Sequence, residues 1–129
     1  MIYIDTSVVL AHLLSEDVHP PDELWREVIV SSRLLEYEVW VRIHARRLAQ
    51  SHGEAVRDLL GRVALLELLS PVLARALESF PIAVRTLDAL HLASFEFLRD
   101  QGHPVELFTY DERMLAVARK MRVPLSGFS

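Results

Sequence analysis

Apolar residues along the chain form two kinds of run, short continuous ones and longer ones that recur with helical spacing. The short runs, rich in Ile, Val and Leu, predict strands. They lie at residues 1–4, 28–30, 64–69, 105–109 and 123–125. The longer patterns, with Ser, Thr, Asp or Pro near their starts, predict helices between the strands. These helices lie at residues 8–14, 23–26, 33–50, 54–62, 71–80, 85–98 and 111–121.

Strands that alternate with helices predict an α/β protein whose parallel sheet is covered by helices on both faces. The chain has 129 residues, of which 51% are hydrophobic, and no linker-like segment divides it. We therefore expect a single domain over residues 1–129. In such sheets, functional sites form at the carboxyl ends of the strands, near the point where the strand order reverses.

Composition excludes several classes of protein. The chain has no cysteine, which excludes disulfides and thiolate metal sites and fits a reducing cytoplasm. Its net charge of −4 argues against a protein that coats nucleic acid through many phosphate contacts. No apolar stretch approaches the roughly 20 residues that span a bilayer, so we expect no membrane segment.

Two acidic residues follow predicted strands at the end where a site is expected. Asp5 comes directly after the first strand, and Asp111 follows the fourth strand by two residues. Each also has an ordinary structural explanation. Asp5 and its hydroxyl neighbours can cap a helix, and Asp111 lies in the sequence TYDE at residues 109–112, which matches a capping box. Each acid taken singly is more typical of a cap than of a catalyst.

Glu38 and Asp88 lie on helix faces that are predicted to be apolar. On a helical wheel, Glu38 falls within the main apolar face of its helix. That face consists of Leu34, Leu35, Val41, Ala45 and Leu48. A carboxylate in apolar surroundings needs a partner or becomes neutral. The simpler explanations are a salt bridge from Glu38 to Arg42, and a first-turn position for Asp88 in a helix capped by Thr86.

The four acids together indicate more than each does alone. If they converge, their mutual repulsion requires a cation, and oxygen ligands favour Mg²⁺ or Mn²⁺ over zinc. Such a site suits phosphodiester hydrolysis by a metal-activated water. A receiver-like signalling module would need a lysine at the site, but the one lysine, Lys120, lies late in the last helix. A phosphatase of the haloacid dehalogenase type would need an acid two residues after Asp5, where Ser7 stands.

Four segments resemble the PIN domain, and specifically the VapC toxins of bacterial and archaeal toxin–antitoxin pairs. They occur in the family's order and span nearly the whole chain. The segments are IYIDTS at residues 2–7, VSSRLLEYE at 30–38, RTLDALHLA at 85–93 and FTYDERM at 108–114. The resemblance implies a three-layer α/β/α sandwich with a five-stranded parallel sheet in the order 3-2-1-4-5.

The resemblance also implies the site residues. The family's acidic quartet, which serves as catalytic and metal-binding residues, falls on Asp5, Glu38, Asp88 and Asp111. Substrate-binding or orienting roles fall on Thr6, Ser7, Arg85 and Thr109, with Arg85 as the first candidate for a phosphate contact.

VapC-like proteins are Mg²⁺- or Mn²⁺-dependent endoribonucleases. The resemblance therefore implies an RNA substrate (tRNA, rRNA or mRNA), a VapB-like antitoxin, a homodimer and a cytoplasmic location. Two alternatives stay open: a housekeeping RNA-processing nuclease with the same fold, and a catalytically idle PIN-like binding module. The compact length, without an appended zinc or RNA-binding domain, favours the toxin.

Other residues receive structural interpretations. Arg42, Arg46 and Arg47 are weaker candidates for phosphate contact than Arg85. His91 is expected to pack its helix and to form a local hydrogen bond, since a carboxylate quartet already supplies the chemistry. The tryptophans Trp25 and Trp40 are expected to pack in a core or a dimer surface.

Overall fold

The computed structural model describes residues 1–14 and 17–128. Strands and helices alternate along these residues, as the apolar pattern predicts. The strands are β1 (Ile2–Ile4), β2 (Ile29–Ser32), β3 (Val63–Leu66) and β4 (Glu106–Phe108). The helices are α1 (Thr6–Leu14), α2 (Leu34–Ala45), α3 (Ala49–Leu60), α4 (Ser70–Ala76), α5 (Thr86–Asp100) and α6 (Glu112–Met121), with a 3-10 helix at Asp22–Arg26. No helix of the described residues is long and apolar enough to cross a membrane.

The strands form a parallel sheet in the order β3-β2-β1-β4. β1 is central, and Tyr3 pairs with Val30 on one side and with Leu107 on the other. The parallel sheet and the order of these four strands agree with the expectation. Strand order reverses between β1 and β4, and the residues that follow those two strands therefore meet at one edge.

The expected fifth strand at residues 123–125 is wrong, because the described residues form a sheet of four strands. Residue Leu125 makes a single parallel bridge to Leu107, through one hydrogen bond from Leu107 N to Pro124 O and another from Ser126 N to Leu107 O, each 2.9 Å. Extending this pairing toward Val105 would require a backbone N–H at position 124. Proline has none, so the pairing stops after one bridge.

The expected helix over residues 33–50 is two helices. The chain turns between α2 and α3, where Arg47 has a left-handed φ of 56°. The expected break at residues 51–53 instead lies inside α3. Gly53 is buried there, and a Cβ on it would lie 3.7 Å from the ring of Trp40 on α2. This glycine therefore lies where α2 and α3 pack together and does not end a helix.

Helices cover both faces of the sheet and give three layers. On β1, Ile2 and Ile4 point to one face, where they join a buried cluster with side chains of α1, α2 and α3. Tyr3 points to the other face and joins a second cluster with side chains of α5 and α6. The alternation follows from the two-residue period of a strand. Both faces of β1 are thus buried, which holds the chain that follows it in a fixed place.

Candidate active site at the carboxyl edge of the sheet

Asp5 lies directly after β1 and is only 5% exposed. Both of its carboxylate oxygens accept hydrogen bonds from hydroxyls: Ser7 Oγ donates to Oδ1 at 2.5 Å, and Thr109 Oγ1 donates to Oδ2 at 2.7 Å. Burial raises the pKa of Asp5 above its ordinary value, while the hydrogen bonds from Ser7 and Thr109 lower it. A buried carboxylate at the edge of the sheet is thus held by Ser7, which was expected to orient it, and by Thr109, which was expected to support Asp111.

The Ser7 and Thr109 side chains also connect the ends of β1 and β4. Ser7 Oγ accepts a hydrogen bond from the backbone N–H of Tyr110 at 2.9 Å. Thr109 Oγ1 accepts one from the N–H of Asp111, also at 2.9 Å. The neighbouring Thr6 Oγ1 is buried and has no hydrogen-bond partner among the described residues. Two hydroxyls therefore fix Asp5 relative to the chain that leads to Asp111.

Asp111 caps helix α6. Its Oδ1 accepts hydrogen bonds from the backbone N–H groups of Arg113 and Met114 at 2.9 and 3.1 Å. The cap is Asp111 itself, whereas the TYDE pattern would place Thr109 in that role. The second oxygen, Oδ2, accepts from Arg85 Nη2 at 3.2 Å. One oxygen of this carboxylate thus accepts the capping hydrogen bonds of the helix, and the other lies toward Arg85 at the edge of the sheet.

Asp88 lies in the first turn of α5 and is 8% exposed. Its Oδ2 accepts a hydrogen bond from Arg85 Nε at 3.2 Å, so the Arg85 guanidinium lies between Asp88 and Asp111. The hydrogen bond and charge of Asp88, with the charge of Asp111, raise the pKa of Arg85. The N-cap residue is Arg85 and Thr86 is the first residue of the helix, so the alternative in which Thr86 caps α5 is wrong, whereas its first-turn position for Asp88 is confirmed. The Arg85 side chain is 64% exposed and open to ligand.

Glu38 lies on α2 at the boundary between its buried and exposed faces. The buried residues of this helix are Leu35, Val39 and Ile43, whereas Val41 is 65% exposed, so the predicted apolar face was misplaced. The polar side chain that contacts Glu38 within the described residues is His91 of α5, with Nε2 and Oε1 2.6 Å apart, rather than Arg42.

His91 is buried as expected, but its contacts are not local. Its Nδ1 lies 2.8 Å from the Tyr3 hydroxyl in β1, and its Nε2 contacts Glu38 in α2. Sequence reasoning missed Tyr3 altogether. The available signal was a phenol in the middle of a buried strand, which needs a polar partner.

All four acids line one cleft of about 690 Å³ at the carboxyl edge. Thr6, Ser7, Arg42, Arg85 and His91 also line it, and so do the apolar or aromatic residues Leu10, Leu34, Tyr37, Val41 and Leu87. In residues 1–14 and 17–128, no three His, Asp or Glu side chains are arranged as a metal-ligand group. Arg85 and His91 instead pair with three of the acids. The donor set of carboxylate oxygens nevertheless fits a hard divalent cation.

The remaining singled-out side chains pack away from these acids. His12 stacks on His19 and contacts Trp25 edge-on. Trp40 stacks with His44, and both tryptophans are partly buried against the cluster under α1, α2 and α3. The expectation that the tryptophans pack on a core is confirmed.

The fold and the cleft together define the class of protein. A family model for the PIN domain matches residues 2–120. The chain belongs to the PIN-domain family, and its resemblance to the VapC type is confirmed. It is similar to Ribonuclease VapC47 of Mycobacterium tuberculosis (strain CDC 1551 / Oshkosh), with 31% identity over 128 residues, which cover 94% of this chain and 92% of that protein.

Proposed function

We propose that this chain is a metal-dependent endoribonuclease that acts as the toxin of a toxin–antitoxin pair, with residues 1–129 as one PIN domain. The observation that carries the proposal is the cleft lined by all four acids: Asp5 after β1, Glu38 on α2, Asp88 on α5 and Asp111 at the start of α6. The similarity to a protein named Ribonuclease VapC47 supports RNA as the substrate. The chain has no cysteine and the cleft is rich in carboxylates, which suits attack by a metal-activated water.

In this proposal Asp5 and Asp88 are the principal ligands of Mg²⁺ or Mn²⁺, and Glu38 and Asp111 complete the set. A bound divalent ion would activate water and offset charge on the phosphate. Asp5 is preset by Ser7 and Thr109, so its oxygens need little reorganisation. Arg85 is open to solvent beside Asp88 and Asp111, which suits contact with a phosphate oxygen.

The proposed partners follow from the same similarity. A VapB-like antitoxin would inhibit the enzyme, a homodimer would be its working form, and the cytoplasm its location. Exposed apolar side chains support partner contacts: Tyr37 and Val41 lie beside the acids, and Leu77 lies on the outer surface after α4.

The decisive experiment replaces Asp5 with Asn and measures Mg²⁺-dependent RNA cleavage by the purified protein. We expect cleavage and growth arrest on expression to be lost, because the amide removes the charge of a principal ligand. Asp58→Asn, an exposed acid on α3, is the matched control and should retain both effects. Full activity of Asp5→Asn would exclude the proposed site, and an inactive wild-type chain would favour an idle binding module.

A further inference from the structure

A buried hydrogen-bonded series runs from the middle of the sheet to Glu38. The Tyr3 hydroxyl lies 2.8 Å from His91 Nδ1, and His91 Nε2 lies 2.6 Å from Glu38 Oε1. Tyr3 is fully buried and His91 is 3% exposed, whereas the Glu38 side chain is 17% exposed and lines the cleft. Polar atoms in such surroundings persist only when they are paired. The series thus joins a buried anchor to a carboxylate at the proposed site.

The direction of the contact with Glu38 follows from hydrogen-bond chemistry. To bind a cation, Glu38 must be a carboxylate anion, which only accepts hydrogen bonds, so that role requires His91 to donate from Nε2 to Oε1. This bond engages one of the two Glu38 oxygens, and a cation can use the other. Histidine acts here as a donor that orients an acid. In many metal sites, groups that do not touch the metal orient its ligands through such hydrogen bonds.

The anchor of this series is rigid. Tyr3 is the middle residue of β1 and is paired with β2 and β4. Its ring contacts His91 and Phe95 edge-on, with ring centroids 5.9 Å apart in both cases. The imidazole is therefore fixed by packing on one side and by hydrogen bonds at both nitrogens. Glu38 comes from α2 on the opposite face of the sheet, so the bond to His91 also joins the two helical layers.

We propose that His91, anchored by Tyr3, is a positioning residue that holds Glu38 in the orientation used to bind a divalent cation. The inference rests on the proposed metal-dependent function and assigns a role to two residues outside the acidic quartet. A helix-packing histidine would need no partner on α2. The 2.6 Å contact to a cleft carboxylate is the observation that separates the two roles.

The first test measures Mn²⁺ affinity by calorimetry on the folded full chain. His91→Leu removes both hydrogen bonds and should weaken Mn²⁺ binding by about 10- to 100-fold, the usual cost of removing such a partner. His91→Gln retains an N–H donor at a similar reach and should restore most of the affinity. Tyr3→Phe removes only the anchoring hydroxyl and should give a smaller loss.

The matched control is Leu98→Ala, a buried apolar change on the same helix that lowers stability and removes no hydrogen bond of the series. It should lower the melting temperature and leave Mn²⁺ affinity unchanged. If His91→Leu binds Mn²⁺ as tightly as the wild type, or if His91→Gln folds and still binds as weakly as His91→Leu, the inference is wrong.

The second test needs no metal. In the metal-free wild type, the His91 Nε2–H proton should appear in the NMR spectrum and should shift in Glu38→Gln, because an amide replaces the carboxylate acceptor. If the chemical shift of this proton is the same in Glu38→Gln as in the wild type, the inference is overturned whether or not metal binds. A wild-type chain that shows the contact but binds no Mn²⁺ overturns the proposed function, and the inference fails with it. Metal binding and RNA cleavage that are unchanged in His91→Leu overturn the inference alone.

Discussion

Arg85 contacts two of the proposed metal ligands. Its guanidinium pairs with Asp88 and Asp111, and it is mostly exposed. Arg85→Ala should tighten Mn²⁺ binding by about two- to fivefold, because it removes an exposed ion-pair partner from the acids. The same change should raise KM for RNA, since a phosphate contact is lost. Calorimetry and steady-state kinetics measure the two effects.

The control for that change is Arg99→Ala, an exposed arginine in the last turn of the same helix. It should change the Mn²⁺ affinity and the KM for RNA only by the small long-range effect of removing one positive charge. Weaker Mn²⁺ binding in Arg85→Ala would mean that Arg85 supports the ligand geometry rather than competing with the cation.

At the scale of residues, the sequence and its family resemblance identified the acids of the cleft with Ser7, Arg85 and Thr109 beside them, but not the Tyr3–His91 pair that contacts Glu38. Asp5 was found because it follows an apolar strand, and Asp88 because it interrupts an apolar helix. The pairing of Glu38 with His91 was missed, because a bond between residues 53 positions apart depends on how α2 and α5 pack across the sheet. The wheel also misplaced the buried face of α2, since exposed apolar residues such as Val41 resemble core residues in a sequence.

At the scale of helices and strands, Gly53 offers a test of why α3 contains a glycine. A Cβ at this position would meet Arg57 Nη1 at 3.4 Å and the Trp40 ring at 3.7 Å, which are ordinary contacts. Gly53→Ala should therefore raise the free energy of unfolding by about 0.5–1 kcal/mol, the helix preference for alanine. Urea denaturation measures it. Gly102→Ala, at a φ of 91°, is the opposite control and should destabilise. A loss of stability in Gly53→Ala would show that the α2–α3 contact tolerates no added methyl.

The element boundaries show where sequence patterns lose information. The four strands of the sheet were predicted from short apolar runs, although β3 is only partly buried and β2 ends in two buried serines. The turn between α2 and α3 has neither glycine nor proline. Arg47 adopts a left-handed conformation there, which its residue type does not predict. Residues 123–125 have a strand-like composition, but Pro124 limits their pairing to one bridge. Local composition predicts an element, and backbone hydrogen bonds decide its extent.

At the scale of the whole molecule, we expect the clustered acids to make stability depend on pH and, if the proposed function holds, on divalent cations. Burial raises the folded-state pKa of Asp5 above its unfolded value, so between those two values the folded chain holds more protons than the unfolded chain. The free energy of unfolding contributed by Asp5 therefore falls as pH rises through that window, upward from about pH 4. In Asp5→Asn, the side chain carries no charge at any of these pH values, so the variant's free energy of unfolding does not fall for this reason.

In EDTA, we therefore expect the wild type to lose stability relative to Asp5→Asn as pH rises toward neutrality. Urea unfolding at several pH values measures this, with Asp58→Asn as the control that should follow the wild type. At neutral pH, Mg²⁺ at 100 times its dissociation constant should add about 2.7 kcal/mol to the wild type and much less to Asp5→Asn. If the free energy of unfolding changes with pH in the same way for the wild type and Asp5→Asn, burial of the ionised Asp5 does not destabilise the folded protein. An equal response of both proteins to Mg²⁺ would mean that the cation binds elsewhere.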